Sequence, residues 1–286
     1  MSFAERRRHL PRLGMGVSTE FGAHEVSGGL DPFEMRAWPG HAEFLEVGVE
    51  VARGLDGTAR SWAAKGLPTT LHFLDLNLDD PDDFDAEWVE GFLAVRDVLR
   101  PAWICGDAGS WHFGRRAPGQ LHLLPPILCA DAVAPMADGI ARLRELSGLE
   151  VLPENPPGVA FLGDLHLLDF FSRVADAGDT GLLVDVAHLA IYQRQTGRKA
   201  TDGLDGFDFD RVIELHVAGG TERLTDGFAW VDDDHGPELL PETWTLFETF
   251  LARCRNLRAV VFECERNALA DVAPAADRIR AAWDAR

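Results

Sequence analysis

Val212-Ile213-Glu214-Leu215-His216-Val217-Ala218 reads as a β-strand, and its two ionisable residues decide what kind of strand it is. With a period of two, Glu214 and His216 share one face while Ile213, Leu215 and Val217 share the other, where helices would cover them. The first face then points into a closed interior. A carboxylate buried there is costly unless a cation, a proton or a metal ion lies beside it. The pair is therefore either an internal Glu–His hydrogen bond or part of a cation site.

Seven more apolar runs of this kind recur along the chain, giving expected strands at 13–19, 44–50, 69–78, 102–107, 150–155, 181–186, 212–218 and 259–265. Helical periodicity fills 51–65, 85–99, 131–146, 165–177, 241–253 and 268–283. Strand followed by helix, repeated, predicts a parallel sheet. Eight repeats without a Ser- or Gly-rich linker predict a closed (β/α)8 TIM barrel, with residues 1–286 as one domain. Two connections are long, 108–130 and 219–240; they carry Trp111, His112 and His122, and Trp230 and His235. Loops of that length act as lids or binding surfaces. The acidic stretch 79–85 has a simpler use, at the first turn and cap of the helix that follows.

The formal charge of -20 and pI near 4.8 exclude a phosphate-backbone binder, which needs clustered Lys and Arg. Arg6, Arg7 and Arg8 are followed by Pro11, Glu20, His24 and Glu25 rather than by an apolar stretch, so they read as a solvated N-terminus. No segment reaches the roughly 18 apolar residues of a membrane span, and a soluble, cytoplasmic protein is expected. Cys105, Cys129, Cys254 and Cys264 are widely spaced in apolar surroundings and read as reduced thiols.

If the runs are barrel strands, their C-terminal ends gather at one mouth. His72 lies mid-run in the third strand, where a lone His is otherwise a core residue. Asp107 closes the fourth. The fifth ends Glu154-Asn155-Pro156-Pro157, with the prolines stiffening the backbone before them. The sixth ends with Asp185 and His188 three apart, the seventh loop offers Asp233 and His235, and Glu263 and Glu265 share the face of the eighth strand. This is more donors than one zinc ion uses, and a carboxylate–imidazole set without cysteine suits iron or manganese.

The order of these motifs resembles the DUF692/UPF0276 proteins, multinuclear non-haem iron-dependent oxidative enzymes of xylose isomerase-like barrel fold. The stretches are Phe44 to Val47, Leu71-His72, Asp107 to Trp111, Leu152 to Pro156, Gly181 to His188, Glu214 to Gly219, Asp233 to His235 and Phe262-Glu263. The resemblance implies two or three irons of mixed valence and dioxygen as co-substrate. It also implies oxidative modification of a ribosomally made precursor peptide at Cys, Asp or Asn, with a small leader-peptide-binding protein as partner. Matched by position, His72, Glu154, Asp185, His188, His216, Asp233, His235 and Glu263 are the metal ligands, with Glu154 able to bridge. Asn155, Glu214, His112 and Asp107 are further candidates, as ligands or as hydrogen-bond partners of ligands.

Two departures stand out. Family members carry Asp or Glu, His, two residues and Trp after the fourth strand, whereas here Asp107 precedes Ala108. Either His112 replaces the lost ligand or the site is dinuclear. Glu50-Val51-Ala52 also replaces a usual Glu-Asn-Tyr. Two other functions compete: a divalent-metal sugar isomerase, epimerase or hydrolase of the same superfamily, and a catalytically impaired barrel that only binds a partner. Lysine-assisted isomerisation is disfavoured, because Lys65 and Lys199 are the only lysines and neither ends a strand.

Overall fold

The computed structural model describes residues 1–20, 29–38, 40–117, 119 and 122–286. His24, Glu25 and three positions of the 108–130 connection lie outside the described residues. In chain order the elements are α1 (Phe3–Arg6), β1 (Gly14–Glu20), α2 (Pro32–Ala37), β2 (Phe44–Val49), α3 (Gly57–Ala64), β3 (Thr69–Phe73), α4 (Ala86–Leu99), β4 (Ile104–Asp107), α5 (Val133–Ser147), β5 (Val151–Glu154), α6 (Leu167–Ala177), β6 (Leu182–Asp185), α7 (Val186–Gln195), β7 (Val212–Ala218), β8 (Thr221–Thr225), β9 (Phe228–Asp232), α8 (Pro241–Arg253), β10 (Ala259–Glu263) and α9 (Leu269–Asp284). Eight strands close a barrel in the order β1-β10-β7-β6-β5-β4-β3-β2, every pair parallel. This is the expected (β/α)8 architecture, and all eight expected runs supply its staves.

Several local expectations are corrected. The third strand stops at Phe73 rather than at residue 78, because Asp75 turns to accept hydrogen bonds from the Val51 amide (2.7 Å) and Trp88 Nε1 (2.9 Å). The helix expected from 51 starts at Gly57, where Asp56 caps it by accepting from the Ala59 amide at 2.7 Å. The helix α7 has no polar face to reveal it: from Val186 to Gln193 every residue is buried. The pair β8–β9 is an antiparallel hairpin inside the long connection after β7. Asp85 does cap α4, accepting from the Trp88 amide.

Inside the barrel, polarity changes along the axis. Phe3 of α1 joins Phe44, Trp103, Leu152, Leu183 and Val261 in an apolar floor at the strand starts. Two residues further along four of the strands the inward position becomes ionisable: Phe44 gives way to Glu46, Leu152 to Glu154, Leu183 to Asp185, Val261 to Glu263. Ile213 joins the floor instead of lying under helices, because the β6–β7 register slips there: Leu182 opposes Val212 and Leu183 opposes Glu214. Leu215 and Val217 keep the expected outward face, in the core shared with the helices.

The layer of helices packs closely on the barrel at one informative point. A Cβ on Gly139 of α5 would lie 1.7 Å from the carbonyl oxygen of Leu78, in the loop that follows β3. Backbone cannot yield as a side-chain tip can, so Gly139→Ala should destabilise the fold by about 2 kcal/mol or more. A urea midpoint equal to that of the wild type would contradict this packing.

Candidate metal centre

The mouth of the barrel gathers side chains from seven strands, the first turn of α7 and one loop, and a cavity of about 260 Å³ lined by His72, Asp107, His188, Asp233, His235 and Glu263 opens there. His72 Nε2 lies 2.8 Å from Glu154 Oε2 and 3.9 Å from Asp107 Oδ2. His216 Nδ1 lies 3.2 Å from Glu154 Oε1 and 3.3 Å from Glu263 Oε1, while its Nε2 faces Glu46 Oε1 at 2.9 Å. His188 Nε2 lies 2.9 Å from Asp233 Oδ2 and 3.6 Å from Asp185 Oδ2. His235 Nε2 is 3.6 Å from Asp233 Oδ2 and 3.8 Å from Glu263 Oε2. Glu154 therefore stands at the centre, in reach of three imidazoles.

Local structure explains how these groups are held. Asp185 is both the last residue of β6 and the cap of α7: Oδ1 accepts the His188 amide at 2.7 Å, which leaves Oδ2 to the cavity. Asn155 spends its side chain on Asp185, donating to its carbonyl (2.9 Å) and accepting from its amide (3.1 Å), and its own carbonyl oxygen lies 2.9 Å from His188 Nδ1. Asn155 thus positions two candidate ligands rather than facing the cavity itself.

Whether a cation fits can be read from what is left unpaired. Asp107 Oδ1, Glu154 Oε1, Asp185 Oδ2, Asp233 Oδ1, Glu263 Oε2 and both ring nitrogens of His216 are buried without a hydrogen-bond partner. Such atoms are rare in a folded interior and costly. Three groups bring ligand atoms within 4.8 Å of one another at this mouth: His72–Asp107–Glu154, Glu154–Asp185–His188 and Glu46–His216–Glu263. The donor set fits metal ions.

The electrostatics carry the same imbalance. Burial pushes the Asp107 carboxyl well up, with Glu154 adding to it, and raises Asp185 to about 7. Burial opposes a charged His72, but Glu154, Glu46 and Asp107 outweigh it and lift this imidazole to about 9. His188, His216 and His235 rise well above their ordinary value for the same reason, burial being outweighed by the carboxylates around each. Glu154 and Asp233 go the other way; their imidazole neighbours overcome burial and hold both well below the usual carboxylate range. Without metal, protons supply the missing positive charge.

The remaining candidates separate. Glu214 lies deeper in the barrel, where Trp103 Nε1 donates to Oε2 at 2.6 Å and burial raises its carboxyl to about 8. His112 does not reach the cluster; it faces Asp83 (3.1 Å from Nε2) and the Gly114 carbonyl (2.9 Å from Nδ1), so it does not stand in for a ligand at Ala108. Two residues outside the expected set belong here. Glu46 faces His216 across the axis, and Glu265 holds His235 Nδ1 at 2.7 Å. The strand parity that turns Glu214 inward turns Glu46 inward too, a lone charge inside Phe44-Leu45-Glu46-Val47. Cys105 is no thiolate donor: its Sγ donates to Glu46 Oε2 at 3.0 Å and burial pushes its pKa well up.

Residues 32–283 match the model of the family described as the RiPP precursor modification enzyme MbnB/TglH/ChrH. The chain belongs to this family. Its curated relatives include a UPF0276 protein of Pseudomonas aeruginosa, 28% identical over 249 residues, covering 83% of this chain and 84% of that one. A UPF0276 protein of Acaryochloris marina is 28% identical over 195 residues, 65% of this chain and 66% of that one. Identity at this level marks a divergent family member. Among solved structures, a xylose isomerase-like TIM barrel protein from Mycobacterium smegmatis in complex with magnesium has a TM-score of 0.58 at 10% identity, covering 98% of each chain. That likeness shows the fold and no more.

The geometry makes His216 a test of the centre. His216→Ala should leave the far-UV circular dichroism of the barrel in place while bound metal, measured by elemental analysis, falls well below that of the wild type. Unchanged metal content would remove β7 from the site.

Proposed function

We propose that this chain is a multinuclear iron enzyme that uses dioxygen to modify a ribosomally made precursor peptide oxidatively. The observation that carries the reading is the set of unpaired buried carboxylate oxygens around four imidazoles at the barrel mouth, in a member of a peptide-modifying family. His72, Asp107 and Glu154 would hold one ion and Asp185 with His188 a second, Glu154 being shared; His216, Glu263, Asp233 and His235 complete the set. Bound there, iron supplies one-electron redox chemistry and open coordination positions for dioxygen and a substrate group.

The chain's own residues supply confinement and orientation. The apolar floor of Phe44, Leu152, Leu183 and Val261 closes the barrel below the donors and keeps water from reaching them that way. The mouth is the open side, and Leu123 and Pro157 share its lining with His72, Asp107 and His188. Beside them two loops are zipped together by the Leu128 amide donating to the Leu162 carbonyl (2.7 Å) and expose Leu124, Ile127, Val159 and Leu162. An apolar rim of this kind suits the side chains of a peptide better than a sugar. Lysine-assisted isomerase chemistry has little support among the residues: Lys65 ends α3, Lys199 follows α7, and both are exposed.

Two measurements test the reading. Protein purified without oxygen should hold about two irons per chain or more, and an oxygen-dependent mass change should appear on a short Cys-, Asp- or Asn-containing peptide encoded beside the gene. Preference for magnesium with turnover of a sugar would refute it. Leu162→Asp should raise the KM for that peptide several-fold with bound iron unchanged; equal KM values would show that the rim does not touch the substrate.

A further inference from the structure

We propose that Glu265, assisted by Asn267, is a positioning device that makes His235 an Nε2 metal ligand and fixes the long loop after β7 to the barrel. The inference rests on the metal-centre reading above. His235 needs such a device because it lies outside the barrel strands, three residues after β9, at the end of the hairpin-bearing loop. Its φ is +50°, a left-handed conformation that a residue with a side chain adopts only when its surroundings impose it.

Two groups from the segment just past β10 impose it. Asn267 Nδ2 donates to the His235 carbonyl at 2.6 Å and to the Cys264 carbonyl at 3.1 Å, which ties the loop backbone to the end of β10. Glu265 Oε1 lies 2.7 Å from His235 Nδ1, and Glu265 Oε2 accepts from Ser18 Oγ of β1 at 3.0 Å. Both oxygens of this buried carboxylate are therefore spent, in contrast to Glu263, whose Oε2 has no partner. Glu265 is a holder, and Glu263 is available to an ion.

The consequence is chemical as well as mechanical. An acceptor on Nδ1 requires that nitrogen to carry the proton, which leaves the Nε2 lone pair for a cation. Nε2 faces Asp233 Oδ2 at 3.6 Å and Glu263 Oε2 at 3.8 Å, too far for hydrogen bonds to either. At the base of the same loop a Cβ on Gly219 would lie 2.1 Å from the Gly236 carbonyl oxygen, so the returning strand of the loop lies directly on its start. Holding His235 thus holds the loop that carries Asp233.

Zinc(II), being diamagnetic, serves as the probe on the full-length protein. Long-range proton–nitrogen correlation on ¹⁵N-histidine-labelled, zinc-loaded protein should show His235 metallated at Nε2 and protonated at Nδ1. Glu265→Ala should weaken zinc binding about 10- to 100-fold in a chelator competition and speed proteolysis within 219–240. Glu265→Gln should restore most of the affinity, since its amide oxygen can accept from Nδ1 and its amide can donate to Ser18. Metal on Nδ1 of His235, or affinity of Glu265→Ala within twofold of wild type, would overturn the assignment while leaving the metal centre standing. A wild-type chain that binds neither zinc nor iron would end both readings. Should the alanine variant fail to fold, the wild-type nitrogen assignment and the glutamine variant still decide.

Discussion

Eight carboxylates, those of Glu46, Asp107, Glu154, Asp185, Glu214, Asp233, Glu263 and Glu265, share one barrel interior with four imidazoles, those of His72, His188, His216 and His235. Even with every imidazole charged, negative groups outnumber positive ones by four. At separations near 3 to 4 Å in a poorly solvated interior, that surplus cannot stay ionised unaided. The shifts follow from it: the carboxyls of Asp107, Asp185 and Glu214 are pushed up toward their protonated forms, and the imidazoles are pushed toward their charged forms. Divalent cations relieve the same surplus more fully, because each brings two charges and direct bonds to the oxygens left unpaired. Metal entry and proton loss are then one event.

The rest of the architecture serves to hold that surplus in place. Parallel strands, four of which (β2, β5, β6 and β10) pass from an apolar inward residue to an ionisable one, place charges near one level of the barrel, above an apolar floor at the other end. The strand ends that carry the candidate ligands are stiffened by bonds that leave the open atoms free. Asp185 caps α7 with one oxygen and keeps the other, Asn155 braces Asp185 and His188, and Glu265 braces His235. Each brace fixes a direction, so the open atoms converge.

Strand parity made most of this legible in the amino-acid sequence. A charge between aliphatic neighbours in a two-faced buried strand has only the interior to point to, which makes His216 and Glu263 legible; His72 and Glu154 follow instead from their apolar runs and the order of motifs. The same logic covers Glu46, a lone charge among the apolar residues of its strand, which faces His216. Elements lacking periodicity were hidden: α7 is buried all round, and the β8–β9 hairpin, with Leu224 and Phe228 turned to solvent, carries no apolar-in, polar-out signal. Loop residues were the least legible, because nothing in Trp111-His112-Phe113 distinguishes a ligand from the partner of Asp83 that His112 turns out to be.

The substitution at Ala108 bears on how the ions differ from one another. Ala108 is fully buried and its amide donates to the Glu154 carbonyl at 3.0 Å, so the backbone there is held as tightly as if a ligand were present. Relative to the motif that the family resemblance implies, only a side chain is missing there. On the metal reading, the position served by His72, Asp107 and Glu154 keeps one imidazole and two carboxylates, one of them shared with its neighbour. Fewer protein donors mean weaker holding and more open coordination positions at that ion. It also borders Leu123 and Pro157, the apolar side of the mouth. An ion that is loosely held by protein, open, and next to the surface best suited to a peptide is where an incoming substrate group would add the missing donor, which makes the loss at Ala108 compatible with chemistry rather than a mark of a dead site.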